Sequence, residues 1–222
     1  MNQEKSSYVI IGGTSGIGKA IASHFDNNDN IVHIASRQTG LDISDEKSIY
    51  RYFQSIGPFD HLVITAGSYA PTGKLIDVNI EQAKQAFDTK FWGAIQAAKH
   101  AASYLKPKGT ITFTTGMLSR KVVANTYVKT TINAALESMT KVLAKELAPI
   151  RVNAVSPGLT MTEAYQNMNE SDRLSMYQNA GSSLPVGKVG EPKDIAMAYV
   201  MIIENPYMTG AIVDVDGGAL IQ

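Results

Sequence analysis

Residues 125–135 read NTYVKTTINAA and bring together a phenol at Tyr127, an ammonium at Lys129 and an amide at Asn133. Tyrosine and lysine are weak acids of similar strength, with pKa values near ~10. Either can give a proton to an oxygen that gains charge during a reduction. On a helix, residues four apart differ by only about 40° in direction and share a face, whereas residues two apart diverge by about 200°. The spacing therefore pairs Lys129 with Asn133 and sets Tyr127 apart from Lys129. The residue one turn after Tyr127 is Thr131, whose hydroxyl cannot depress a phenol pKa. Tyr127 thus either hangs over a pocket from the loop before the helix, as a proton donor, or packs in its wall. Lys129 either acts on substrate, its pKa lowered by burial or by a second cation, or solvates the start of the helix.

A second constellation binds phosphate. In IIGGTSGIGKAIA (10–22), Gly12, Gly16 and Gly18 have GxxxGxG spacing, with Thr14 and Ser15 supplying hydroxyls and Ile17 between the last two glycines. Glycines admit positive φ and let a diphosphate approach the backbone. The helix that follows offers free N–H groups and the positive end of its dipole. A β-branched run ahead and a helical pattern behind are the context that makes this motif a dinucleotide cradle. An NAD-type unit carries a carboxylate at the end of its second strand. Here that place reads Ala35-Ser36-Arg37. A serine hydroxyl and a guanidinium suit a 2′-phosphate, so the expected cofactor is NADP(H).

The elements that must hold these residues alternate. Six β-branched runs lie at 8–13, 30–36, 61–67, 109–115, 150–156 and 210–216, separated by helical patterns at 17–25, 44–56, 79–105, 125–148 and 191–203. The second pattern opens with a capping-box shape on Ser44. Apolar strands alternating with helices imply a parallel sheet covered on both faces, an α/β doubly wound fold. One domain over 1–222 accounts for the whole pattern. The polar segment 163–190 reads as a helix-loop lid over the substrate pocket, with Tyr165, Met168, Met176, Tyr177 and Leu184 giving that pocket a partly apolar character.

Bulk properties narrow the partners. Lys plus Arg and Asp plus Glu each number 20, for a formal net charge of zero, and there is no cysteine. Nucleic acid and anionic membrane are poor partners for such a chain, and thiolate sites are excluded. No apolar run approaches the ~20 residues of a membrane span. The four histidines at 24, 33, 61 and 100 form no ligand pair, so no metal site is expected. The balance fits a cytoplasmic protein acting on a small molecule.

Over nearly its whole length the chain resembles the short-chain dehydrogenase/reductase family. The resemblance rests on GGTSGIG, LDISD, ITAG (64–67), IRVNAVSPGLTMT (150–162) and TGAIVDVDGG (209–218). It implies a single Rossmann domain with a seven-stranded parallel sheet in the order 3-2-1-4-5-6-7, assembled as a homotetramer or homodimer. It implies adenine contacts at Asp42 and Ile43 and cofactor contacts at Ala66, Gly67 and Ser68. Nicotinamide contacts fall at Pro157, Gly158 and Leu159, with Thr160 and Thr162 near the carboxamide and diphosphate. Two departures show in the scaffold. Ile11 stands where the family usually has threonine, and the short ASRQTGLDISD segment leaves the helix between strands 2 and 3 shortened or missing.

The catalytic positions depart further. The family uses an Asn, a Ser, a Tyr and a Lys; here the aligned residues are Lys90, Gly116, Lys129 and Asn133, with Thr115 just before the serine position. One reading is an NADPH-dependent oxidoreductase acting on a carbonyl or enone, with Lys129 in place of tyrosine, Asn133 bonding the nicotinamide ribose, and Lys90 with Lys129 receiving a substrate carboxylate. A second is a catalytically silent NADP(H)-binding sensor or interaction protein on the same fold. A third is a structural homo-oligomer with an empty cleft.

Overall fold

The computed structural model describes residues 5–27, 29–67 and 69–222. Among them, strands β1 (Ser6–Ile11), β2 (Asn30–Ala35), β3 (Phe59–Ile64), β4 (Leu105–Thr114), β5 (Arg151–Pro157) and β6 (Ile212–Val215) form one parallel sheet in the order β2-β1-β3-β4-β5-β6. Each β-branched run of the sequence supplies one strand. The seven strands expected from family resemblance become six. Between β2 and the next helix lies only the short 3-10 turn Arg37–Thr39, too little chain for an outer strand and its crossover. β2 is therefore an edge, and its Ile31 and Ile34 are exposed.

Helices cover both faces because strand side chains alternate. On β1, Val9 and Ile11 join a core with α2 (Glu46–Ile56), α4 (Gly93–Ala101) and α5 (Tyr127–Glu146), through Phe53, Ala97, Ala98, Ile132 and Leu136. Tyr8 and Ile10 face the other way, onto α1 (Gly16–Phe25) and α7 (Pro192–Glu204), through Ile21, Phe25, Ile195 and Tyr199. Fully burying each such side chain contributes about 1.5–3 kcal/mol. Tyr199 satisfies its buried hydroxyl on Thr114 Oγ1 at 2.5 Å, which ties α7 to the end of β4.

Two local expectations are corrected. The cap of α2 is Asp45, whose carboxylate accepts from the Lys47 N–H at 3.0 Å; Ser44 instead donates to Asp42. The long helix expected over 79–105 is α3 (Ile80–Phe87), a π turn at Asp88–Trp92, and α4. That π turn carries Lys90, and such turns gather at functional positions. In the 163–190 segment, a 3-10 turn at Glu163–Tyr165 precedes α6 (Glu170–Ser183). Among the described residues no helix is long and apolar enough to cross a membrane.

Candidate active site

The sheet order reverses between β1 and β3, since β2 lies on one side of β1 and β3 on the other. Ligands of open α/β sheets bind at that crevice, beyond the carboxyl ends of the strands. The glycine turn sits there. Gly12 has φ +91°, and a Cβ on it would lie 2.6 Å from Thr65 Oγ1 and 2.7 Å from the Ala66 N. A Cβ on Gly18 would run into the Gly12 carbonyl oxygen. The turn is thus packed directly on the segment after β3, and the Gly12 N–H donates to the Ala35 carbonyl at 2.7 Å. Ser15 caps α1 by position, but its hydroxyl makes no capping bond and is free to donate. Thr14 is half-buried, Ser15 is exposed, and Ile17 packs into the core below. Gly16 adopts φ +51° beside Thr162, whose side-chain carbons would lie 3.3 Å from a Cβ there.

At the end of β2, Ser36 starts the 3-10 turn and accepts from the Gln38 N–H at 3.2 Å. The Arg37 side chain is exposed and makes no hydrogen bond or ion pair among the described residues. Asp42 accepts from the Ser44 hydroxyl and N–H, which hold its carboxyl below the usual range, with a smaller contribution from Arg37. Ile43 is buried, and a Cβ on Gly93 would lie 2.6 Å from its carbonyl, so α4 presses directly on this backbone. Ala66 and Gly67 line the crevice next to Lys90; Ser68 lies outside the described residues. Gly158 follows Pro157 and donates to the Val215 carbonyl, Leu159 accepts from Gly190, and buried Thr160 donates to the Gly158 carbonyl at 3.1 Å.

Lys90, Gly116 and Asn133 converge at the far end. The Lys90 ammonium donates to Asn133 Oδ1 at 2.8 Å and to the Thr115 carbonyl at 3.2 Å. Burial, reinforced by the charge of Lys129, pushes its pKa down to about 8. The Lys129 charge thus acts on Lys90. Lys129 is half-buried and makes no hydrogen bond or ion pair among the described residues.

Two expected donors face elsewhere. Tyr127 is the first residue of α5 rather than part of the preceding loop, and its hydroxyl is buried without a hydrogen-bond partner. It packs against the core, as the wall reading supposed. The Thr115 hydroxyl points away from Lys90, lying 3.3 Å from the Val155 carbonyl and 3.4 Å from the Glu137 carboxylate; only its carbonyl serves the cluster.

Residues that the motifs did not single out pin this corner. Glu137, one turn after Asn133 on α5, accepts from the Ser119 hydroxyl at 2.6 Å and pairs with Arg120 at 3.4 Å. Arg120 also grips Asp214 on β6 with both terminal guanidinium nitrogens and reaches Ser156 at 3.2 Å. The loop carrying Gly116 is thereby tied to α5, β5 and β6. An i, i+4 polar pair at 133 and 137 was the signal that could have found it.

Known proteins share this architecture. Residues 12–219 match a family model described as enoyl-(acyl carrier protein) reductase. Short-chain dehydrogenase/reductase ATR9 of Stachybotrys chlorohalonatus is 33% identical over 251 residues, covering 97% of each chain. Carbonyl reductase family member 4 of Danio rerio is 30% identical over 235 residues, covering 95% of this chain and 96% of its own. This chain belongs to the short-chain dehydrogenase/reductase family. A crystal structure described as a small-chain dehydrogenase in complex with NADPH has a TM-score of 0.97 and 69% identity, covering 98% of this chain and 100% of that one. Three residues that the sequence comparison put forward meet through Asn133 here. Lys90 bonds Asn133, and the Asn133 amide fills the space beside Gly116. The family's cofactor turn keeps its glycines and their close contacts.

Proposed function

We propose that the protein is an NADPH-dependent oxidoreductase that reduces a small, anionic carbonyl-type substrate with a lysine-based catalytic set. The glycine cradle, with an exposed Arg37 that makes no hydrogen bond or ion pair among the described residues, carries the reading. A Cβ at Gly12 or Gly18 would collide with the turn itself or with the segment after β3, so the tight turn needs its glycines, and no carboxylate stands at the end of β2 to accept a ribose diol. A guanidinium there favours the 2′-phosphate. The related crystal structure with NADPH supports the same choice. Bound NADPH supplies the two electrons and the hydrogen that go to the substrate carbon.

The chain supplies the rest. Gly12, Thr14, Ser15, Gly16, Ile17 and Gly18 hold the diphosphate, and Ser36 and Arg37 hold the 2′-phosphate. Asp42 and Ile43 border the adenine, Ala66, Gly67 and Ser68 the adjoining ribose, and Pro157, Gly158, Leu159, Thr160 and Thr162 the nicotinamide end. Lys129 gives a proton to the substrate oxygen and regains it from water. Lys90 and Lys129 form a positive field that draws a substrate carboxylate. Segment 163–190 closes over the pocket within a single domain. The reading places the protein in the cytoplasm as a homotetramer or homodimer.

The test is a carbonyl panel, with and without carboxylates, monitored by NADPH oxidation. NADPH should bind at least about tenfold more tightly than NADH, as one charge-assisted phosphate contact warrants. Lys129→Ala should lower kcat by about 10²–10⁴, the usual range for a general acid; unchanged turnover in that variant removes Lys129 from the mechanism. A second reading is a silent NADP(H) sensor, favoured by the inward-turned hydroxyls of Tyr127 and Thr115. It expects tight NADPH binding by calorimetry and no turnover on any member of the panel.

A further inference from the structure

Gly116 poses a question that its backbone does not answer. Its φ of 162° and ψ of 149° are extended, a conformation open to any residue. A glycine is therefore not needed there for the chain path. It is needed for room: a Cβ at 116 would lie 2.9 Å from Asn133 Nδ2. The amide occupies the volume that a side chain at 116 would take.

The orientation of that amide is fixed by chemistry. A lysine ammonium only donates, so the atom facing Lys90 at 2.8 Å is the Asn133 oxygen. The Nδ2 group is turned toward Gly116. Asn133 is 5% exposed, and its Nδ2 has no hydrogen-bond partner among the described residues. Unlike the Tyr127 hydroxyl, this N–H is not sealed from solvent, so it is open to an acceptor that enters from outside beside Lys90 and Gly116. We propose, resting on the reductase reading above, that Asn133 Nδ2 is the hydrogen-bond donor to the substrate carbonyl oxygen. Lys90 is the positioning residue that aims it, and Gly116 makes the space. The donor reaches from α5 into the place where a serine on the β4 loop would otherwise stand. It polarises the carbonyl while Lys129 delivers the proton.

Asn133→Asp is the discriminating variant. It keeps an oxygen for Lys90 and nearly the same shape but removes the N–H. The expected result is a fall in kcat of about 10²–10³, the loss seen for a single oxyanion donor. A second readout needs no turnover. In protein labelled with ¹⁵N at asparagine side chains and loaded with NADP⁺, phenylglyoxylate should move the Asn133 amide proton resonance downfield. Lys90→Met should abolish that movement by freeing the amide to rotate. Asn133→Asp at wild-type kcat, or an amide resonance unmoved by saturating phenylglyoxylate, overturns the assignment. Should Asn133→Asp fail to fold, the resonance in wild type and Lys90→Met decides alone. A responsive amide without turnover of any carbonyl sinks the reductase reading and leaves the carbonyl contact standing. Turnover with a silent amide does the reverse.

Discussion

Lys90 is held as an ammonium by two oxygen acceptors while burial and Lys129 oppose its charge. The opposing effects dominate, and its pKa falls from 10.5 to about 8. Among the described residues, the charged and polar groups that act on it are Lys129, Asn133 and the Thr115 carbonyl, with no carboxylate to reverse the shift. Below the folded-state value the lysine is protonated in both the folded and unfolded chain, and the cost of its burial is fully felt. Between that value and 10.5 the unfolded chain binds more protons, so stability rises with pH. Urea melts at about pH 7.5 and about pH 10 should show Lys90 contributing about 2 kcal/mol of relative stabilisation across that interval. Lys90→Met lacks this contribution, and titrating groups that do not couple to Lys90 cancel in the comparison. Parallel pH profiles for the two proteins would show that the ammonium is not desolvated. The sequence pointed to a lysine pair but not to which member is strained. That follows from the π turn, which rotates Lys90 inward and leaves no mark in apolar periodicity.

At the scale of elements, the β1–turn–α1 unit was the most legible part of the chain. Glycine spacing, the preceding β-branched run and the following amphipathic pattern all agree there, and local agreement of that kind specifies structure. The contacts are correspondingly unforgiving. Gly18→Ala places a methyl against the Gly12 carbonyl and 2.5 Å from Thr65 Oγ1, so α1 must withdraw from β1. The expected cost is about 1–3 kcal/mol, measured by denaturation, together with loss of NADPH binding. Gly57→Ala is the contrast: nothing lies within 4 Å of its Cβ, and only the positive φ is strained, so cofactor affinity should stay unchanged. Equal effects on NADPH affinity would count against the close-packed cradle. What remained hidden at this scale depends on partners distant in sequence. Tyr127 starts α5 with its hydroxyl indoors because α5 packs on the sheet core, and Thr115 turns its hydroxyl to Glu137 and Val155. Spacing along one helix cannot report either fact.

At the scale of the whole molecule, α1, the segment after β5 and α6 enclose a hollow beside the glycine turn. A cavity of about 550 Å³ lies there, lined by Gly16, Lys19, Met161, Thr162, Arg173 and Tyr177 among others. Its walls are unequal. α1 buries Ile21, Ala22 and Phe25 against α7 and the sheet, whereas α6 buries only Gly181. Helical segments with little apolar burial open at low free-energy cost, so α6 should exchange its amide hydrogens far faster than β4. A ligand on the glycine turn contacts the side of this cavity next to Thr162, and ordering that side stabilises what packs on it. Saturating NADPH should therefore slow hydrogen exchange in residues 163–190 by at least about tenfold, a gain of about 1.4 kcal/mol in local stability, and leave β4 unchanged. The sequence announced a lid from its polar, Gly- and Pro-punctuated composition. Only the structure shows that Thr162, just before that segment, stands beside Gly16 of the glycine turn, because that proximity joins residues far apart in the chain. Exchange in 163–190 that ignores NADPH, while the glycine turn becomes protected, would mean that cofactor binding and lid closure are independent. The substrate rather than the nucleotide would then have to close the site.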